Sequence, residues 1–342
     1  MSDREPERQI VSACVSAETS TKRRRPRFEP FGPKPDPTPA DGPDPYGNPD
    51  PEWLRIDWPA HLHDAEVGGN RVHYAELGPP EAEQHPLALV FVHGLSGCWQ
   101  NWLENLPHFA RRHRVIALDL PGFGSSPVPD WEISIPAYGK LLLAFCDAIG
   151  VRDCAVVGNS MGGFVAAEAT IAQPDRFEKL ALVSAAGVSS ARLRREPTEV
   201  AARMIAAGTP LAFKAQTRAL RRPRARAMAF GGIFDDPRSL RPELIWEFFD
   251  GGMRSQSFVE ALSSLAGYNF LDRLEEVDVP TLIVWGRQDH VVPPADAYGY
   301  QQRLKRSRLE VFDRCGHVPM AERPVRFNRV LERFLESSWA RA

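Results

Sequence analysis

Val156-Val157-Gly158-Asn159-Ser160-Met161-Gly162-Gly163 runs a β-branched stretch into a helical one through Gly-x-Ser-x-Gly. A turn that tight between strand and helix holds its serine in a strained conformation with the hydroxyl at the crest. Side chains two before and two after would collide with it, which gives glycine at 158 and 162 a steric cause. The helix that starts at the serine aims free amides and partial positive charge at the reaction centre. Ser160 is therefore the candidate nucleophile. A serine hydroxyl is a weak nucleophile near neutral pH and needs a base within hydrogen-bond reach.

The chain has nine histidines. In an open parallel sheet, chemistry sits at the carboxyl ends of the strands, and only His93, His290 and His317 directly follow a strand-like run. His317 comes after the last of these runs, with Gly316 before it to let the loop bend back, and is the candidate base. His290 directly follows the best acid candidate and would point away from it. That acid is Asp289, at the end of Thr281-Leu-Ile-Val-Trp-Gly-Arg-Gln-Asp289. Its task would be to accept the second imidazole N–H, fix the tautomer and stabilise the imidazolium. The preceding strand end, Ser184-Ala185-Ala186-Gly187, offers no carboxylate.

An acyl-transfer site also needs two N–H donors for the oxygen of the tetrahedral intermediate. The Met161 amide, just after the serine, is one candidate. Leu95, in the His93-Gly94-Leu95-Ser96-Gly97 loop, is the other. His93 itself is expected to brace that loop, and Asp119-Leu-Pro-Gly-Phe-Gly-Ser-Ser126 to shape the site wall.

These residues need a scaffold. The chain has 342 residues, 43% of them hydrophobic and 25% charged, enough to bury a sizeable core. From Trp58 onward, short apolar runs alternate with helix-like segments, the pattern of a largely parallel sheet flanked by helices. The strands are expected at 71–77, 87–93, 114–118, 154–158, 180–184, 281–285 and 309–312. Helices are expected at 135–149, 161–173, 295–304 and 325–337. Residues 58–189 and 271–342 thus form an α/β core. Between them, 190–270 shows only helical patterns broken by Pro197, Pro210, Pro223, Pro237 and Pro242, and reads as a helical cap over the strand ends. Phe230, Phe234, Phe248, Phe249, Met253 and Phe258 make that cap apolar. Some should pack it onto the core, and the rest should line a hydrophobic substrate pocket. Arg218, Arg221, Arg222, Arg224 and Arg226 read as a solvated helix face.

Residues 1–57 differ. Ten of the twenty-six positions from Pro26 to Pro51 are proline, behind a basic run at Lys22, Arg23, Arg24, Arg25 and Arg27. This reads as an extended, disordered arm. A formal net charge of -2 gives no reason to expect nucleic acid or an anionic membrane as partner. The apolar runs are too short for a membrane span, and the charged N-terminus resembles no signal peptide, so a cytoplasmic protein is expected. His61-Leu62-His63-Asp64 lacks a partner set for a metal, no dinucleotide fingerprint opens a helix, and no cofactor is expected.

Taken together, the motifs are recognisable. From about Glu52 onward the sequence resembles the α/β-hydrolase superfamily, through HGLSG at 93–97, DLPGFG at 119–124, GNSMGG at 158–163, WGRQD at 285–289 and CGHVPMAERP at 315–324. The resemblance implies an eight-stranded, mostly parallel sheet, with the cap between strands six and seven. GNSMGG and WGR-x-D also resemble meta-cleavage-product hydrolases, which cut carbon–carbon bonds in dienoates. Those enzymes usually carry a bulky tryptophan after the catalytic histidine, where this chain has Val318. The expected activity is hydrolysis of a small hydrophobic carboxylic ester through an acyl-enzyme. Cofactor-free C–C hydrolysis and a non-catalytic binding protein on the same fold are the alternatives.

Overall fold

A computed structural model of the protein describes residues 43–79, 87–198, 220, 222–253 and 255–338. Its centre is one eight-stranded sheet in the order β1-β2-β4-β3-β5-β6-β7-β8. The strands are β1 (Leu62–Val67), β2 (Asn70–Leu77), β3 (Ala88–Val92), β4 (Val115–Leu118), β5 (Cys154–Asn159), β6 (Phe177–Val183), β7 (Thr281–Gly286) and β8 (Ser307–Phe312). From β4 through β8 every neighbouring pair is parallel, while β1 and β2 run antiparallel at one edge.

The central strands are apolar on both faces, and alternate residues enter different cores. Val90, Val92, Val156, Leu180, Leu182 and Ile283 join one cluster; Leu89, Phe91, Val157, Ala181, Val183 and Val284 join the other. This follows from the two-residue period of a strand: a parallel sheet covered on both sides reads as a continuous aliphatic run. After the one-turn helix α1 (Leu106–Phe109), helices α2 (Ile135–Ala148) and α3 (Met161–Ala172) fill the first cluster, and the C-terminal helix, Pro324–Glu336, fills the second. The Ser134 side chain accepts from the Ala137 amide at 3.3 Å and starts α2, and Pro174 follows α3.

The chain leaves β3 toward β4 on one side and later returns to place β5 on the other. The carboxyl ends of β3 and β5 therefore flank the point where strand order reverses, the crevice where such sheets bind ligands. That topology sets the loop after β3 beside the turn after β5.

Strand β1 was absent from the sequence expectation, which weighed His61–Asp64 only as a metal site. It pairs with β2 through a two-residue loop, Gly68-Gly69, in which both residues have positive φ. Two consecutive glycines between polar-alternating segments are the hairpin signal, obscured here because β1 buries only Val67.

The disordered arm was expected to run to residue 57, and this boundary is corrected. Residues 43–57 pack on the domain. Trp53 is buried, and its indole N–H donates to Glu104 Oε1 at 3.0 Å. Asp44 pairs with Arg323 at 2.7 Å, and Asn48 donates to Glu104 Oε2 at 2.9 Å. Proline content alone misread this stretch, because its aromatic residues have partners far away in sequence. Residues 1–42 lie outside the described residues.

In the described part of 190–270 lie helices Pro223–Phe230, Pro242–Met253 and Phe258–Leu265. They pack on both clusters: Phe230, Leu244, Ile245 and Phe248 on one, Ala261 and Leu265 on the other.

Candidate active site

Ser160 follows the last residue of β5 and caps α3, with φ 54° and ψ −118°. This is a strained conformation for a residue with a Cβ, costing about 1–3 kcal/mol and persisting only where the surroundings over-determine it. They do so here. The Ser160 amide donates to the Val183 carbonyl at 2.9 Å, and its own carbonyl accepts from Ala186 at 3.0 Å and Phe164 at 3.2 Å. Gly162 lies so close to the Val92 and His93 carbonyls that a Cβ there would overlap them. Close approach of α3 to the end of β3 is thus the reason for that glycine.

His317 and Asp289 come together from the loops after β8 and β7. His317 Nδ1 lies 2.9 Å from Asp289 Oδ2, and both side chains are buried. The second carboxylate oxygen, Oδ1, accepts from the Val291 amide at 2.9 Å and the Val292 amide at 3.0 Å. Each oxygen therefore has a separate duty. Asn159, the residue before Ser160, donates from its side-chain amide to the carbonyls of Val183 at 3.1 Å and His317 at 3.3 Å. That amide ties the serine turn to the histidine loop. It occupies a variable position of the Gly-x-Ser-x-Gly pattern, and only its contacts single it out. His290 is exposed, in keeping with its place outside the constellation.

The 93–97 loop lies against the serine: a Cβ at Gly94 would sit 3.0 Å from that of Ser160. Neither Leu95 nor Met161 donates its amide to a backbone carbonyl in the turns and loops among the described residues. Met161 is moreover the first residue of α3, where helical amides have no partner within the helix. Among the described residues neither amide is thus committed to such a carbonyl.

His93 is fully buried and braces the loop. Its Nε2 accepts from the Leu120 amide at 2.9 Å, so the proton resides on Nδ1, which donates to the Gly94 carbonyl at 2.7 Å. Asp119 completes the brace by accepting from the Trp99 amide at 2.7 Å and the Ser125 amide at 2.8 Å. Burial of the His93 ring pushes its pKa down to about 4, against a weaker upward pull from the Gly94 carbonyl. The unfolded chain, with imidazole near the usual 6.5, binds more protons than the folded one between these values, so this neutral histidine's contribution is whole above 6.5 and lost as pH falls toward 4. The unfolding free-energy gap between wild type and His93→Gln should narrow by up to about 3 kcal/mol over that window. Urea titrations at pH 7.5 and pH 4.5 that gave the same gap would remove His93 as the responsible group.

The phenylalanines expected in the cap segregate. Phe230, Phe234, Phe248 and Phe249 form one aromatic cluster, with ring centroids 5.0 Å apart for Phe230–Phe249, 5.6 Å for Phe234–Phe248 and 5.5 Å for Phe248–Phe249. Three of them are buried there, and Phe249 is half-buried. Phe258 is half-buried on its own helix, and the Met253 side chain lies outside the described residues. Of the arginines, Arg218 and Arg221 also lie outside them, and Arg222 and Arg224 are exposed. Arg226 departs from the expected solvated face. It is buried, donating to the carbonyls of Leu220 at 2.9 Å and Arg238 at 2.8 Å.

One buried carboxylate at this site escaped the sequence reading. Glu322, in the CGHVPMAERP segment, accepts from both residues that flank His317. A charged residue amid apolar ones between two prolines was the available signal.

Residues 89–330 match the alpha/beta hydrolase family model. The chain belongs to that family, and it is a hydrolase. It is 30% identical over 283 residues to the dihydrolipoyllysine-residue acetyltransferase component of the acetoin cleaving system of Cupriavidus necator, covering 79% of this chain and 68% of that one. It is 27% identical to 2-hydroxy-6-oxo-6-phenylhexa-2,4-dienoate hydrolase of Comamonas testosteroni, covering 81% of this chain and 95% of that one. Identity to pimeloyl-[acyl-carrier protein] methyl ester esterase of Aeromonas hydrophila is 29%, over 72% of this chain and 94% of the esterase. No described helix is long and apolar enough to cross a membrane.

Proposed function

We propose that this hydrolase cleaves a carboxylic ester of a small hydrophobic substrate through an acyl-enzyme on Ser160. The observation that carries the reading is the buried His317–Asp289 pair, 2.9 Å apart, reached from the strained serine turn through Asn159. Ser160 Oγ attacks the ester carbonyl while His317 Nε2 takes its proton. The Leu95 and Met161 amides hold the oxygen of the tetrahedral intermediate. Collapse breaks the carbon–oxygen bond, and the leaving alkoxide takes the proton from His317. Water, deprotonated by the same nitrogen, then hydrolyses the acyl-enzyme and frees the acid.

A fluorophosphonate probe tests the reading directly. Ser160 should be labelled, and labelling should vanish in Ser160→Ala. An unlabelled wild type would instead favour a binding protein on this fold.

Carbon–carbon hydrolysis is the second reading, supported by the similarity to the Comamonas enzyme. Val318, small and buried, stands where dienoate hydrolases usually have tryptophan, and this favours the ester. Comparing turnover of butyrate esters with that of a dienoate ring-cleavage product separates the two.

With Phe230, Phe234 and Phe248 committed largely to packing, the pocket wall falls to Phe249, Phe258 and Leu95, all of them apolar and half-buried. Specificity constants should therefore rise from acetate through hexanoate esters, by up to about fourfold per methylene, the equivalent of roughly 0.8 kcal/mol. A flat or falling series would contradict an apolar acyl pocket.

A further inference from the structure

The loop that carries His317 is held from three directions by one carboxylate. Glu322 ends the short helix Pro319–Glu322 and is fully buried. Its Oε1 accepts from the Gly316 amide at 2.9 Å and the Val318 amide at 3.4 Å, on either side of His317. Its Oε2 accepts from the Asp235 amide at 2.7 Å, in the helical interval, and from the Tyr46 hydroxyl at 2.6 Å, in the N-terminal segment. Tyr46 accepts in turn from the Asp236 amide at 2.7 Å. Two backbone bonds run parallel to these: Gly47 N–H to the Glu322 carbonyl at 2.7 Å, and His317 N–H to the Ile233 carbonyl at 2.8 Å.

We propose that Glu322 and Tyr46 are positioning residues for His317, so that the N-terminal segment completes the active site from outside the hydrolase core. The inference rests on the reading of His317 as general base.

The hydrogen-bond directions support it. All four groups on Glu322 are donors, and Tyr46, already accepting from Asp236, must point its hydrogen at the carboxylate. The pattern suits an ionised carboxyl. Burial pushes its pKa up to about 7, and the donors from Tyr46, Asp235, Gly316 and Val318 pull the other way. Among the described residues no cation pairs with Glu322, since its neighbour Arg323 reaches Asp44 instead. A buried carboxylate met only by dipoles is costly to hold unless every donor stays in place. Its charge therefore keeps Gly316 and Val318, and the histidine between them, in one position. Asp289 fixes the ring, but only a fixed backbone lets Nε2 face the serine.

The test uses the full chain with Glu322→Gln, Tyr46→Phe, the double variant, and Arg55→Ala as a control on the exposed side of the same segment. Steady-state hydrolysis of p-nitrophenyl butyrate, fluorophosphonate labelling rate and thermal melting are measured on each. A carboxamide leaves one oxygen for Gly316 and Val318 but sets N–H groups against the Asp235 and Tyr46 donors. Glu322→Gln should lower kcat and labelling rate about 10- to 100-fold with little change in KM, the signature of a displaced catalytic group in a pocket that still binds. Tyr46→Phe should fall in the same direction by less, the double variant no further than Glu322→Gln alone, and Arg55→Ala should match wild type.

Wild-type labelling with unaffected kcat in Glu322→Gln and Tyr46→Phe overturns the inference alone. Double-variant losses equal to the product of the single ones overturn the role of Tyr46. An unlabelled wild type overturns the reading of the site, and the inference with it. Should Glu322→Gln fail to fold, Tyr46→Phe, which removes one oxygen and no charge, decides the question.

Discussion

Ser160→Ala should lower turnover by about 10⁴- to 10⁶-fold while leaving the fold intact. The hydroxyl is the group proposed to form the acyl-enzyme, and alanine offers nothing in its place. The backbone is unaffected, because the bonds that hold the turn run from the Ser160 amide to Val183 and to its carbonyl from Ala186 and Phe164. A rate somewhat above the uncatalysed one should survive from the Leu95 and Met161 amides, the donors proposed for the oxyanion, whose action does not depend on the nucleophile. Alanine also keeps the positive φ of 54°, and with it the strain. Ser160→Gly should therefore melt higher than Ser160→Ala and be equally inactive, since glycine occupies that region freely. Near-native kcat in either variant would end the nucleophile assignment.

Asp289→Asn should cost about 10⁴ in kcat, the scale for a base held in the wrong tautomer, with a far smaller effect on stability. The geometry says why. Oδ1 accepts from two backbone amides, Val291 and Val292. An asparagine must keep its oxygen on that side, which turns its NH₂ toward His317 Nδ1. That nitrogen would then have to accept, leaving the proton on Nε2, the atom that should take it from Ser160. The shape of the side chain is preserved, so the melting temperature should move little. The measurement is kcat for a butyrate ester beside thermal melting of both proteins. An unchanged rate would point to another carboxylate as the partner of His317.

Much of this site was legible in one dimension because its constraints are local. The serine turn needs small residues within two positions, a β-branched run before it and a helix after it, all within the span 156–163. Asp289 and His317 lie in the loops after β7 and β8, and a parallel sheet sends such loops to one edge. The start of the helix Ile135–Ala148 follows from Ser134 and Pro136. The strand β1 was harder to see, because an edge strand with one buried residue carries almost no apolar pattern.

What the sequence by itself determined is the strands from β2 onward and the chain order of Ser160, Asp289 and His317, since each strand and each candidate is marked by residues a few positions from it. The tertiary structure alone decided which buried groups serve that arrangement. Tyr46 lies 276 residues from Glu322, and nothing in a proline-rich stretch announces that its hydroxyl meets a carboxylate behind the histidine loop. Arg226 reads as one more exposed arginine until its guanidinium is found on backbone carbonyls. Phe230, Phe234, Phe248 and Phe249 read as possible pocket lining in sequence, and only packing shows them gathered into one aromatic cluster. Hydrogen bonds and close packing act over a few ångströms in space, and chain distance does not enter them. Pattern within the chain fixes which elements form, while the partners of a buried polar group depend on where folding brings distant segments.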